Sequence, residues 1–215
     1  MNEPPHSKYR LSLTLPTQPW ISGAFLLSGF SALIYQVVWQ RVLFAAFGIN
    51  VEAVAVVVTA FLVGLGIGSV IGGLASTRSR PPLPVIFAAF ELGVGAYGAI
   101  SVPLFRVVGT ALAAEQSIVT GLVTFGLVLF PTVLMGATLP VLVEYGVRAT
   151  HNVGRSLGWL YFVNTAGSAI AAILAAIIIL GRLGELKATW LAAGINFLVS
   201  GFVVLRYRQP AGLAR

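Results

Sequence analysis

Four polar side chains sit where an apolar chain has least reason to carry them. They are Glu91 in "FAAFELGVGAYG", Gln36 in "SGFSALIYQVVWQR", Asn164 in "YFVNTAGS" and Asn196 in "AGINFLVS". A carboxylate in such surroundings can hold a cation or pass a proton. Amides can orient a polar ligand or tie helices together. Glu91 lies about eight residues into its apolar run, roughly 12 Å along a helix at 1.5 Å per residue. Burying a charge that deep in a bilayer costs about 2.5–3.5 kcal/mol or more. Three readings of Glu91 stay open: a pathway or binding residue, half of a structural ion pair, or a protonated, hydrogen-bonded packing residue. Gln36 must find partners or cost a few kcal/mol, so it is expected to face other helices. Tyr35 and Trp39, four apart on one face, read as packing aromatics.

Other charged residues suggest structure rather than chemistry. Arg41 and Glu52 flank the tight "GIN" turn (48–50) and form a candidate ion pair. Glu144 and Arg148 form a second at i,i+4 spacing. The chain has no cysteine, and its two histidines, His6 and His151, lie in loops far apart, so no metal site is expected. No catalytic set and no cofactor motif are visible. "GLGIGSVIGG" (64–73) has glycines spaced like a dinucleotide fingerprint but falls inside an apolar helix rather than after a strand, which rules that reading out.

The elements that must position these residues are long and apolar. Of the 215 residues, 58% are hydrophobic and 9% charged, too few charges to cover a soluble surface. Several runs exceed the ~20 residues needed to cross a hydrocarbon core. The fold expected is all-α: a polytopic membrane protein with six transmembrane helices near 20–46, 52–75, 83–107, 117–146, 155–180 and 187–206. Residues 1–19 form an N-terminal tail, 20–206 the membrane domain and 207–215 a C-terminal tail. Breaks are expected at "GIN", "STRSRPPLP" (76–84), "RATHNVGR" (148–155) and "GRLGELK" (181–187), with a kink or local break in the fourth helix near Pro131. Small residues at four-residue spacing (Ala60, Gly64, Gly68, Gly72, Ser76) mark a packing stripe on the second helix, and Ser168, Ala172 and Ala176 do so on the fifth.

Charge orders the sides. Nine of the 13 Lys and Arg residues (Lys8, Arg10, Arg78, Arg80, Arg148, Arg155, Arg206, Arg208 and Arg215) belong to one side of such a bundle, against Arg41, Arg106, Arg182 and Lys187 on the other. The positive-inside rule then puts both termini in the cytoplasm of a bacterial inner membrane. The net charge of +7 follows this distribution and does not imply a nucleic-acid partner.

Four stretches in order, "SGFSALIYQVVWQRVLFAAFG", "AFLVGLGIGSVIGG", "FPTVLMGATLPVLV" and "GRSLGWLYFVNTAGSAIAA", resemble the membrane domain of bacterial spermidine-synthase-like membrane proteins, which is major-facilitator-like. The resemblance spans about residues 22–180. It implies half of a major-facilitator-type bundle, and a soluble aminopropyltransferase domain elsewhere in the family. Only Tyr207–Arg215 follow the last expected helix, so no enzymatic activity is expected of this chain. "GGLASTRSR" (72–80) falls where facilitators place a Gly- and Arg-rich loop but lacks the usual aspartate. Three functions follow as expectations. The first is a membrane scaffold or anchor acting with a partner protein. The second is a polyamine or small-molecule transporter assembled as a homo-oligomer of six-helix halves. The third is a structural subunit of a larger complex. The lipid bilayer is the one partner common to all three.

Overall fold

The computed structural model of the chain describes residues 18–47, 51–78, 82–112 and 117–208. It is all-helical: α1 (Pro19–Phe47), α2 (Val51–Arg78), α3 (Leu83–Ala111), α4 (Ser117–Thr150), α5 (Val153–Leu174), a π-helical turn (Ala175–Ile179) and α6 (Leu180–Arg208). Five segments among the described residues are long and apolar enough to cross a membrane, and the last of them, Val153–Tyr207, is 55 residues long. These are the features of a membrane-embedded helical protein. Counted this way, six separate spans are not obtained. The reason lies in "GRLGELK", which does not unwind into a loop. Gly184 alone leaves helical geometry there, at φ 68° and ψ 177°, a conformation glycine adopts without a Cβ penalty. At 148–155 the break is equally short: His151 takes φ 53°, and the Asn152 side chain caps α5 by accepting from the Arg155 N–H at 2.9 Å.

Side-chain contacts give the relative directions of α1, α3, α5 and α6. Trp159 donates to Ser22 Oγ, Asn164 to the Phe25 carbonyl and Ser168 to the Gly29 carbonyl, so α5 runs with α1. Ser28 meets Glu91 and Trp39 meets Ser101, so α3 runs with α1 as well. Trp190 donates to the Ala99 carbonyl, Asn196 to Glu91 and Ser200 to the Ala88 carbonyl, so α6 runs against α3. The chain therefore reverses at the Gly184 kink even though helix flanks it on both sides.

The small-residue stripe of α2 packs on α4. A Cβ on Gly68 or Gly72 would collide with the backbone carbonyls of Val133 or Ala137, so these backbones approach as only small residues allow. Trp39 is fully buried among Tyr35, Phe61, Tyr97 and Phe105. Its Nε1 donates to Ser101 Oγ at 2.8 Å.

Three prolines lie inside these helices: Pro103 in α3, and Pro131 and Pro140 in α4. Of the kink or local break expected near Pro131, the break does not occur, since α4 continues through both of its prolines. Each proline lacks an N–H and so frees the carbonyl four residues earlier. Those carbonyls belong to Ala99, Leu127 and Gly136, and each is met by a side chain from a neighbouring helix. Trp190 Nε1 donates to Ala99 O at 3.1 Å, Tyr97 OH donates to Leu127 O at 2.6 Å, and Ser69 Oγ lies 3.4 Å from Gly136 O. Water is absent from a bilayer core, so such donors are what make interior prolines tolerable.

Tyr97→Phe keeps the ring contacts and removes only the donor to Leu127 O. It is expected to destabilise the protein by about 1–2 kcal/mol, read as a lower midpoint of unfolding in detergent. Adding Pro131→Ala restores a backbone donor and should recover most of the loss. Equal losses with and without Pro131 would refute this account.

Candidate functional site

The four polar residues singled out in the sequence come from α1, α3, α5 and α6, and all four line one cavity of about 270 Å³. Glu91 is 1% exposed. Its Oε1 receives a hydrogen bond from Ser28 Oγ at 2.5 Å and its Oε2 one from Asn196 Nδ2 at 2.6 Å. Asn196 in turn accepts from Tyr35 OH at 3.0 Å. Ser28 and Tyr35 both belong to α1, so the chain of bonds leaves α1, passes through α6 and α3, and closes on α1 again. Two helical turns separate Ser28 from Tyr35, which puts them on the same face of α1.

Local sequence explains why the ring can form. A Cβ at Gly98 would collide with the Tyr35 ring, and one at Gly95 would stand 2.9 Å from Phe197 Cε1 and 3.1 Å from Asn196 Cβ. These glycines of α3 therefore admit Asn196, which bonds to Glu91, and Tyr35, which bonds to Asn196. Gln36 and Ser69 are exposed, and both line the cavity with Tyr161, itself 62% exposed. These residues stand where the cavity meets the surface of the bundle. The α2 and α5 walls there, Leu65 with Ser69 and Tyr161 with Asn164, belong to helices with little or no contact with each other.

Among the described residues no lysine, arginine or histidine pairs with Glu91, so the ion-pair reading of this residue has no partner there. An ionised carboxylate has about four lone-pair sites, and Ser28 and Asn196 use two. The hydroxyl of Ser28 can donate or accept, so its contact survives with the carboxyl either charged or neutral. The lining can offer acceptors to a cation and donors and acceptors to a polar group. Among the described residues no cluster of His, Asp or Glu could hold a metal ion.

The charged residues lie elsewhere. Arg148 Nε donates to Glu144 Oε1 at 2.9 Å, and its Nη2 reaches the Ser76 carbonyl of α2 at 3.2 Å. Arg41 approaches Glu185 Oε1 at 3.8 Å, while Arg106 Nη2 donates to Glu185 Oε2 at 3.3 Å. The Glu52 side chain lies outside the described residues. Glu185, which the sequence reading passed over, follows the Gly184 kink and so draws the start of the last helical stretch to α1 and α3. The arginines of these pairs are largely exposed, and such pairs contribute little individually.

Sequence reading also missed Ser28, Ser69 and the role of Tyr35. Their signal was available in part, because Ser28, Tyr35 and Gln36 recur at helical spacing along α1. Comparison of the chain with protein-family models, curated proteins and solved structures finds no match.

Glu91→Gln keeps the ring closed. The new amide nitrogen donates to Ser28 Oγ and its oxygen accepts from Asn196, so stability should change by less than about 1 kcal/mol. Asn196→Leu deprives both Tyr35 and Glu91 of a partner and should cost about 2–3 kcal/mol. Detergent unfolding of the two variants checks this. A larger loss from Glu91→Gln than from Asn196→Leu would point to a buried cationic partner and overturn the ring.

Proposed function

We propose that this chain is a six-crossing protein of the bacterial inner membrane whose central cavity binds a small organic cation. In this reading it forms one half of a transporter assembled from two six-helix units. One observation carries the proposal. Glu91 is a buried carboxyl without a cationic partner among the described residues, and it borders a cavity on which polar residues of four helices converge. Acidic residues at such depth are costly and characteristically mark ion or substrate pathways. Sites between helices near the bilayer midplane are typical of transporters.

The cavity favours a small ligand, being slightly below the usual range of about 300–1,000 Å³ for drug-sized sites. The resemblance to spermidine-synthase-like membrane proteins is a reason to place amines, polyamines included, first among the cations. Six crossings are supported by the reversal of direction between α5 and the stretch after Gly184. Cytoplasmic termini are supported by the nine-to-four distribution of Lys and Arg, and alternation of α1 to α6 resembles half of a major-facilitator-type bundle.

Binding of alkylammonium ions to the detergent-purified protein, followed by calorimetry, tests the site. Glu91→Gln should weaken it by roughly 30-fold or more, as expected when one member of a buried charge pair is lost. If no organic cation binds, the reading falls and the chain is better regarded as a membrane anchor for a partner protein. Topology is tested separately with reporter fusions. Those after Arg80, Arg155 and Arg215 should report cytoplasm, and one after Arg182 the periplasm. Opposite locations for Arg155 and Arg215 would mean a single crossing between them and defeat the six-span reading.

A further inference from the structure

The three carbonyls freed by interior prolines are not equally satisfied. Leu127 O receives the Tyr97 hydroxyl at 2.6 Å and Ala99 O receives the Trp190 indole N–H at 3.1 Å. Gly136 O has only Ser69 Oγ, at 3.4 Å. That hydroxyl carries a single proton, and it also lies 2.8 Å from Leu65 O, its own i−4 carbonyl. The shorter contact takes the proton. Gly136 O is thus the least well satisfied of the three, lacking the N–H of residue 140 and holding only a long, shared contact from its neighbour's side chain. It is also the one freed carbonyl whose residue lines the cavity, along with Ser69 and Glu91.

A weakly satisfied backbone acceptor costs free energy wherever water is excluded. Its place on the wall of a cavity gives that acceptor a use. We propose that Gly136 O is a second ligand-binding group of the cavity, so that the preferred ligand is an organic ammonium ion bearing a further N–H or O–H donor. This rests on the reading of the cavity as a cation site. The ammonium is held at Glu91 on α3, and the second donor is received by the carbonyl that Pro140 frees on α4. Pro140 then acts as a specificity-determining residue without touching the ligand, because it keeps the helix from consuming its own acceptor. Gln36, with no hydrogen bond of its own among the described residues, stands on the same lining and is free to turn towards either end of such a ligand.

The test uses the full chain in detergent and calorimetric titration with two matched series, n-alkylammonium ions and ω-hydroxyalkylammonium ions of increasing chain length. At one length the hydroxylated probe should bind roughly five- to tenfold more tightly than its matched alkylammonium, the worth of one neutral hydrogen bond. Pro140→Ala supplies the missing N–H to Gly136 O and should erase that preference, bringing the hydroxylated probe down to the affinity of its matched alkylammonium. Pro140→Ser, which also restores the N–H, guards against poor folding of the first variant. Glu91→Gln should weaken both series together. The proposal is overturned if no hydroxylated probe exceeds its match, or if the preference survives both Pro140 variants. In either case alkylammonium binding that still depends on Glu91 leaves the cavity reading standing. Absence of any binding to the unaltered protein removes both.

Discussion

Every polar group inside an apolar slab must find its partner within the protein, and this constraint organises the whole bundle. The backbone meets most of it by being helical. What remains is a short set of side chains and freed carbonyls, and these are what hold the helices in register. Glu91 draws Ser28 from α1 and Asn196 from α6 onto α3. Tyr97 and Trp190 reach across to carbonyls that prolines have released. Apolar packing between helices has no solvent-driven bias towards one register in lipid, because hydrocarbon tails are as apolar as the side chains they replace. Small residues permit close approach of α2 and α4, and polar contacts then choose among the possible alignments.

The same constraint separates structural polar groups from functional ones. Where a donor and an acceptor satisfy each other fully, as Trp39 and Ser101 do, the pair is part of the scaffold. Where capacity is left over, as at Glu91 with two lone-pair sites unused and at Gln36 with no hydrogen bond among the described residues, the residue lines the cavity. Surplus capacity is expensive, and the cavity brings several such groups together.

Much of the site was legible before any fold was known, because an apolar run makes each polar residue conspicuous. Glu91, Gln36, Asn164 and Asn196 stood out for that reason alone. Ser28 and Ser69 did not, since serines in membrane helices commonly bond to their own i−4 carbonyl and give no sign of a cross-helix role. Tyr35 looked like a packing aromatic, and its ring is one, being stacked on Trp39. Only its hydroxyl belongs to the polar ring. The unbroken passage of α4 through Pro131 was also out of reach, since it depends on a tyrosine 34 positions earlier supplying the missing donor.

Composition and hydropathy by themselves determined that this is a helical protein with apolar segments long enough to span a bilayer, because solvent choice depends on totals rather than on arrangement. Glycine and small-residue spacing along α2 likewise determined that one face of it would meet another helix. Tertiary structure alone decided that the meeting is with α4, that residues 36, 91, 164 and 196 share one cavity, and that the chain reverses on a single glycine at 184. It also decided that Arg41 approaches Glu185, far along the chain. The physical reason is common to all of these. Hydrophobicity and helical period act locally and can be read along the chain, whereas the pairing of a buried donor with its acceptor depends on which helices become neighbours.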